Sequence, residues 1–294
     1  MQYPGADEAL RSDLKTLGRL GRTVAPLFPG IDIKPLIEEM QLRAVEELDY
    51  ELEAAAQRVY AAEYRDDPQF VVPDVVDVGR RVLVTEWLDS PASLASVIAD
   101  GSQEDRDAYG ELYTRFIFAS PSRTGMLHAD PHPGNYRLMP GVDGAPHRLG
   151  VLDFGAVARL PDAGLPSIMG TLIRIAARED GDALLQGLRD EGFVKDKVRI
   201  DPQQLVDYLA PLVEPTRVEE FQFSRAWMRE QFARINDPKE PAYTVAMKLN
   251  LPPSYLLIHR TWVGGIGVLA QLEAKAPFRA ILTDQLPGFA DPAA

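Results

Sequence analysis

The chain has 294 residues, of which 46% are hydrophobic, so it is long and apolar enough to bury a sizeable core. Its 31 basic and 44 acidic residues leave a formal net charge of -13, which would repel a polyanion, and we therefore expect no nucleic acid partner. Because the sequence contains no cysteine, it excludes disulfides, thiolate nucleophiles and cysteine-ligated metals.

The first third of the chain predicts two helices followed by a small sheet. An amphipathic helix is predicted over residues 6–24. Residues 35–64 contain no glycine and no proline after the first position, and their apolar stripe predicts one long helix. Three β-branched runs at residues 71–72, 75–78 and 82–87 are typical of strands in an antiparallel sheet.

Farther along, helices are predicted over residues 94–98 and 104–118. Residues 136–138 and 148–152 are joined by a segment rich in turn residues, which predicts a β-hairpin. Helical patterning resumes at Leu165 and continues to the end of the chain. The sequence therefore predicts a small sheet with one long helix, followed by a larger helical region.

The tail carries the most apolar segment, residues 252–274. His259, Arg260 and Thr261 interrupt it, so no run reaches the roughly 18 apolar residues of a membrane span. It lacks the basic face of an interfacial helix, and we expect it to pack on the protein core. The N-terminus shows no secretory signal. These features predict a cytoplasmic protein without a transmembrane span.

Residues 128–135 read H-A-D-P-H-P-G-N and concentrate polar side chains in one loop. One interpretation is a metallohydrolase centre with His128, Asp130 and His132 as ligands. A second is the kinase catalytic loop H-R-D-x-x-x-x-N, because His128, Asp130 and Asn135 fall in that register. A third is an ordinary capped turn.

The kinase interpretation gains weight from Asp153, Phe154 and Gly155, a D-F-G motif that follows the predicted hairpin. Either motif alone is a weak signal, but the two together, in this order and separated by a hairpin, are specific. Phosphoryl transfer needs one carboxylate to orient the acceptor, and an amide and a second carboxylate to hold Mg²⁺ on the phosphates.

Three carboxylates lie on the predicted long helix. Asp49 and Glu53 are four residues apart and share a face, whereas Glu47 points about 120° away from Glu53. Such residues commonly form a solvated helix face. In a kinase-like fold, however, one helix carboxylate turns inward to pair with the strand lysine that holds the phosphates.

On these motifs the sequence resembles the AarF/UbiB atypical kinase family, whose members are linked to quinone and isoprenoid lipid metabolism. The matching segments are Q-Y-P-G at residues 2–5, E-L-D-Y-x-x-E-A at residues 47–54, and the loop and D-F-G motifs above. Choline kinases and aminoglycoside phosphotransferases share the loop, so a small-molecule phosphotransferase is an alternative. The segments at residues 2–5 and 47–54 favour the AarF/UbiB resemblance.

The resemblance implies a role for each matching residue. Glu53 would pair with the strand lysine, and Glu47 with Asp49 would form the E-x-D element of the family. Asp130 would be the catalytic-loop aspartate, and Asn135 and Asp153 the metal ligands. ATP and Mg²⁺ are the implied cofactors.

The resemblance also implies a nucleotide site at the end of the strand that covers residues 82–87. Backbone groups of Glu86 and Leu88 would pair with adenine, and Thr85 would guard the back of the pocket. The implied fold is an α+β, protein-kinase-like bilobal fold. Residues 1–89 would form an incomplete N-lobe with the long helix and hinge strands, and residues 90–294 a mostly helical C-lobe.

In the family the start reads V-A-V-K-V-Q-Y-P-G, so Met1 stands where the residue after the lysine would be. The lysine, the loop over the phosphates and the K-x-G-Q helix would then be missing. An inward Glu53 without a cation costs about 3 to 5 kcal/mol unless it protonates or swings out. Since GTG encodes Val internally and Met at a start, we expect a misplaced start rather than a truncated relative.

Two functional hypotheses follow. The first is a Mg-ATP-dependent atypical kinase or ATPase, with a prenyl-quinone or lipid as the implied acceptor and peripheral association with the inner membrane. The second is a non-catalytic remnant that acts as a binding module, because the loss of the first strands would expose an apolar sheet edge.

Overall fold

A computed structural model describes residues 6–24, 30–142, 147–160 and 164–290. Within them the chain forms an α+β fold dominated by helices, as the sequence predicts. The helices are α1 (Ala6–Val24), α2 (Ile33–Glu46), α3 (Tyr50–Glu63), α4 (Leu94–Asp100), α5 (Gln103–Thr124), α6 (Leu165–Ala177), α7 (Gly181–Asp190), α8 (Pro202–Val213), α9 (Arg225–Asn236), α10 (Pro241–Ala246), α11 (Leu256–Leu272) and α12 (Phe278–Gln285). The strands are β1 (Phe70–Val71), β2 (Val75–Gly79), β3 (Val82–Thr85), β4 (Met126–His128), β5 (Tyr136–Pro140), β6 (His147–Val151), β7 (Val157–Arg159), β8 (Phe221–Gln222) and β9 (Lys275–Ala276).

The prediction of one long helix over residues 35–64 is wrong, because the helix is interrupted between α2 and α3. Asp49 is the N-cap of α3, and its carboxylate accepts hydrogen bonds from the backbone N–H groups of Glu51 at 3.0 Å and Leu52 at 3.3 Å. An aspartate in this position satisfies the free N–H groups of a new first turn, so the helix restarts there.

The three predicted strands of one antiparallel sheet belong to two different sheets. β2 and β3 pair as an antiparallel hairpin, which ends at Thr85 rather than Trp87. β1 instead pairs in parallel with β6, in the sheet order β1-β6-β5. Pro73 follows the β1 run and has no backbone N–H, so the ladder cannot continue through it into β2.

The predicted hairpin is confirmed as β5 and β6, which pair antiparallel with Tyr136 opposite Val151. A second antiparallel pair, β4 with β7, sets His128 opposite Val157. The sequence analysis missed β7. The polar loop therefore leaves β4 and enters β5, whereas the D-F-G residues leave β6 and enter β7. Both loops come out at the same end of these two strand pairs.

An aromatic cluster fixes α3 above these loops. The ring of Tyr60 lies 5.0 Å from Phe154 and 6.0 Å from Phe116 of α5, and its hydroxyl donates to the carbonyl of Met126 at 2.9 Å. Tyr64 stacks on Tyr60 with 6.2 Å between ring centroids, and the guanidinium of Arg123 lies 3.9 Å from the Tyr64 ring centroid. Buried aromatic pairs of this kind stabilise a helix in one orientation.

Helices α6 to α12 confirm the helical patterning predicted from Leu165. The apolar tail forms α11, whose Leu257, Ile266 and Leu269 are buried, as predicted for a core-packed helix. Helix α12 follows it. No helix in the described ranges is long and apolar enough to cross a membrane.

Helix α11 touches the polar loop through a residue without a side chain. A Cβ added at Gly264 would lie 2.4 Å from Cγ of Pro131, far closer than van der Waals contact. The same operation at Gly267, one turn farther along α11, meets nothing within 4 Å. Gly264 is therefore a point of close approach between the helix and the loop.

This contact generates a prediction with an internal control. We expect Gly264→Ala to lower the free energy of unfolding by about 1 to 3 kcal/mol, because the rigid proline ring must move. We expect Gly267→Ala to raise it by about 0.5 to 1 kcal/mol, since alanine is the better helix former. Urea denaturation of both variants measures the difference, and equal effects at the two glycines would contradict the proposed contact.

Candidate active site

The polar loop holds the Asp130 carboxylate in place with its own groups. Residues Pro133–Asn135 form a single turn of 3-10 helix, and His132 Nδ1 accepts from the N–H of Gly134 at 3.1 Å. Asn135 Nδ2 donates to Asp130 Oδ2 at 2.7 Å, and the His132 N–H donates to Asp130 Oδ1 at 3.3 Å. The carboxylate is therefore oriented while part of it still faces the cleft.

His128 is completely buried and connects the two loops. Its Nε2 lies 2.8 Å from the carbonyl oxygen of Asp153, and because a carbonyl only accepts, Nε2 carries the hydrogen. Burial lowers the pKa of His128, so the ring is neutral. The hydroxyl of Tyr136 lies 3.4 Å from His128 Nδ1 and 3.3 Å from the carbonyl oxygen of Asp130, so its one hydrogen is shared between these two acceptors.

These contacts argue against the metallohydrolase interpretation. Nε2 of His128 donates a hydrogen bond to the Asp153 carbonyl, and Nδ1 of His132 accepts one from the Gly134 N–H. Within the described residues there is no group of three or more His, Cys, Asp or Glu side chains that could hold a metal ion. The loop instead acts as a scaffold for the Asp130 carboxylate.

Asp153 leaves β6 in an unusual backbone conformation, with a φ of 62°. Asparagine and aspartate tolerate this left-handed region better than other non-glycine residues. The hydrogen bond from His128 holds the Asp153 carbonyl, while Asp153 Oδ1 accepts from the N–H of Gly155 at 3.2 Å. The Asp153 side chain is exposed to the cleft, and Phe154 is buried against Tyr60 and His128.

Glu53 of α3 faces Asp153 across Gly155. A Cβ at Gly155 would lie 3.3 Å from Asp153 Oδ1 and 3.6 Å from Glu53 Oε2, so the glycine leaves both carboxylates accessible. Burial raises the pKa of Glu53 to about 7, with a further contribution from the negative charge of Asp153, against a hydrogen bond from the Phe154 backbone that lowers it. The half-buried Glu53 side chain points into the protein, toward Asp153.

A cleft of about 500 Å³ opens where these elements meet. It brings together five of the predicted site residues: Glu47, Glu53, Thr85, Asp130 and Asp153. Its remaining walls come from Tyr50, Gln57, Pro73, Leu83, Leu152, Gly155, Ala156 and Arg260. Four carboxylates and one arginine thus face one space, which favours the binding of cations and of ligands that arrive with a cation.

The other predicted site residues do not line this cleft. Asn135 lies directly behind it, bonded to Asp130, and Asp49 caps α3. Glu86 closes the end of the β2–β3 hairpin, since its backbone N–H donates to the carbonyl of Asp74 at 2.9 Å. Leu88 packs on Gly150, where an added Cβ would lie 2.9 Å from the Leu88 Cδ1. The adenine roles of Glu86 and Leu88 remain predictions.

The sequence analysis missed three polar wall residues. Gln57 is buried and donates from Nε2 to the carbonyl of Pro73 at 2.7 Å, which ties α3 to the start of the hairpin. Tyr50 follows Asp49 at the first turn of α3. Arg260 of α11 lies 3.5 Å from Glu47 Oε1 and 3.5 Å from Asp130 Oδ1. Its only sequence signal was a charge that interrupts the most apolar segment.

The raised pKa of Glu53 predicts a pH dependence of stability. The folded protein binds this proton more tightly than the unfolded chain, so the stabilisation is complete below pH 4.5 and is lost as the pH rises through about 7. Between pH 5 and 8 we expect the free energy of unfolding to fall by about 1 to 2 kcal/mol more in the parent than in Glu53→Gln, after discounting for partial solvation.

Urea titrations in metal-free buffer at four pH values within this range measure the difference. Glu51→Gln is the matched control, because Glu51 is an exposed glutamate two residues earlier on the same helix. We expect this control to follow the parent profile. Parallel profiles for Glu53→Gln and the parent would contradict the assigned environment of Glu53.

This chain is similar to a known protein family and to several of its members. The sequence model of the ABC1 atypical kinase-like domain matches residues 1–186. Protein ACTIVITY OF BC1 COMPLEX KINASE 3, chloroplastic, from Arabidopsis thaliana is 28% identical over 309 aligned positions, covering 99% of this chain and 41% of that protein. Atypical kinase COQ8B, mitochondrial, from Rattus norvegicus is 28% identical over 201 positions, covering 66% and 36% of the two proteins. The chain thus spans less than half the length of these curated relatives.

A solved structure agrees in fold. The Mycobacterium tuberculosis protein Rv3197, solved as a complex with erythromycin, superposes with a TM-score of 0.79 at 37% sequence identity, covering 99% of this chain and 71% of that one. The match to the domain covers more than half of the chain and includes the polar loop, the D-F-G residues and Glu53. The predicted resemblance is confirmed: the chain belongs to the ABC1 atypical kinase-like family, which includes the AarF and COQ8 proteins.

Proposed function

We propose that the cleft is the nucleotide site of a Mg-ATP-dependent atypical kinase or ATPase. Two hydrogen bonds carry the proposal: Asn135 holds the Asp130 carboxylate, and His128 holds the Asp153 backbone, in a cleft that both aspartates line. In the proposed bilobal arrangement, residues 1–89 cover this cleft from the N-lobe side and residues 90–294 form its floor.

The residues present fit a magnesium ion. The amide nitrogen of Asn135 donates a hydrogen bond to Asp130, so the amide oxygen of Asn135 can serve as a metal ligand. The exposed carboxylate of Asp153 is the second candidate ligand. The two residues are close because the N–H of Leu152 donates to the Asn135 carbonyl at 2.8 Å. When bound, Mg²⁺ would neutralise charge on the phosphates of the nucleotide.

The apolar part of the cleft suits a nucleotide base. Leu83 and Thr85 of β3 face Leu152 across it. Thr85 is the last residue of β3, so the backbone of Glu86 to Leu88 continues directly from this wall. We place adenine against this wall, with its edge toward the backbone groups of Glu86 and Leu88.

Asp130 is the group proposed to act on the acceptor. Its Oδ2 accepts from Asn135, and its Oδ1 lies 3.5 Å from Arg260, which lines the same cleft. A carboxylate held in this way orients the attacking oxygen and accepts its proton. The family resemblance points to a prenyl-quinone or lipid as the acceptor, and water in that place would give an ATPase.

No lysine lines the cleft within the described residues, and Glu53 faces the carboxylate of Asp153. In this form of the chain Glu53 is proposed to reach its charged state when a cation enters the cleft. The strand lysine that the family pattern implies would serve the same purpose.

A second candidate function is a binding module without catalysis. It is favoured by apolar side chains exposed on and beside the β2–β3 hairpin, where Val76 is 65% exposed and Trp87 is 87% exposed. Patches of this kind commonly mark a surface that another protein covers. The two candidates differ in one property, the Mg²⁺-dependent binding of nucleotide in the cleft.

That property gives the test of the proposed function. We expect this chain to bind ATP in the presence of Mg²⁺ and to lose about 10-fold or more in affinity in Asp153→Asn, because the variant removes a charged metal ligand. Isothermal titration with and without EDTA measures both effects. Asp182→Asn, which removes an equally charged side chain at the N-terminus of α7, is the control and should bind as the parent does.

Two results would contradict the proposal. One is equal affinity of the parent and Asp153→Asn for Mg-ATP, which would show that this aspartate holds no metal. The other is the absence of Mg²⁺-dependent binding in the parent itself, which would favour the binding module.

A further inference from the structure

Arg260 enters the cleft from a part of the chain that the family match does not include. The ABC1 domain match ends at residue 186, and Arg260 lies on α11 in the tail. Among the described residues that line the cleft, Arg260 is the single cation, and it shares the lining with four carboxylates. A lone positive group in such a space has a large effect on which ligands can enter.

The packing of α11 aims Arg260 at the catalytic loop. Leu257, one turn before Arg260, is buried against Leu127 and Ala129 of the strand and loop that lead to Asp130. Gly264, one turn after Arg260, is in contact with Pro131. Residues spaced by three and four share one face of a helix, so the face that carries Arg260 is fixed on both sides.

The guanidinium is held only loosely where it lies. Its two terminal nitrogens are 3.5 Å from Glu47 Oε1 and 3.5 Å from Asp130 Oδ1, at the outer limit of a hydrogen bond. The Arg260 side chain is 45% exposed. A guanidinium has five N–H donors, so further donors remain for an anion that enters beside Asp130.

Phosphoryl chemistry at Asp130 needs positive charge at this point. The acceptor oxygen oriented by Asp130 must lie next to the terminal phosphoryl group, whose charge has to be balanced during transfer. The neighbouring groups on the cleft wall are carboxylates, which would repel that phosphoryl group. Arg260 is the group on this wall with the opposite charge and a geometry suited to two phosphate oxygens.

We propose that Arg260 binds the terminal phosphoryl group of the nucleotide, releasing Glu47 as it does so and keeping Asp130 in reach of the acceptor. This inference rests on the proposed nucleotide site and adds a phosphate-binding residue from the tail. It also gives a reason for the close packing of α11 on the loop, where Gly264 faces Pro131.

The experiment compares two nucleotides that differ in their terminal phosphate. Parent, Arg260→Gln, Arg260→Lys and Arg279→Gln are titrated with ADP and with the non-hydrolysable ATP analogue AMP-PNP, each with Mg²⁺. Arg279 is an exposed arginine on α12 that does not line the cleft, so its replacement controls for net charge. Thermal unfolding of each variant is recorded alongside.

We expect Arg260→Gln to weaken AMP-PNP binding about 10-fold or more, while ADP binding changes less than about threefold. Arg260→Lys should lie between the parent and Arg260→Gln, because lysine keeps the charge without the two-pronged geometry. Arg279→Gln should bind both nucleotides as the parent does.

Two contrary results are distinguishable. In the first, the parent binds AMP-PNP with Mg²⁺, and Arg260→Gln either binds it equally well or loses affinity for ADP and AMP-PNP in the same proportion. Arg260 would then have only a structural role, and this inference would be overturned while the nucleotide site stands. If the parent binds neither nucleotide, the proposed function fails, and the inference fails with it.

Discussion

The hydrogen bond between the buried His128 ring and the Asp153 carbonyl is the constraint on which the rest of the site depends. It joins two loops that come from different strand pairs, and it fixes the left-handed backbone of Asp153. A buried imidazole must satisfy both ring nitrogens, and here the Asp153 carbonyl and the Tyr136 hydroxyl do so. The position of one loop thereby determines the position of the other.

The electrostatics of the cleft follow from this arrangement. Placing Asp153 opposite the half-buried Glu53 sets two carboxylates against each other, and burial with the Asp153 charge raises the pKa of Glu53 to about 7. Such a site is unfavourable for two bare anions and favourable for a bound cation. Among the described residues that line the cleft, the one cation, Arg260, comes from a helix more than a hundred residues away in sequence. The tail therefore contributes a charged side chain to the cleft as well as apolar side chains to the core.

The sequence by itself determined the order of the motifs and the local elements that carry them. The loop at residues 128–135, the hairpin and the D-F-G residues could be predicted because each depends on neighbouring residues: prolines that exclude an α-helix, alternating apolar positions, and turn residues between them. The inward placement of Glu53 followed from the family pattern in the same stretch. These local signals were sufficient to predict the family.

Only the tertiary structure decided which distant residues meet. The sequence predicted one long helix, because a run without glycine or proline favours continuation of a helix. Instead, Asp49 caps a new helix, α3, which packs on Phe154 through Tyr60. The pairing of β1 with β6 and the approach of Arg260 to Asp130 join segments far apart in the chain. No periodicity encodes such contacts, since they depend on how complete elements pack: the face of α11 that bears Arg260 is set by Leu257 in the core and by Gly264 against Pro131.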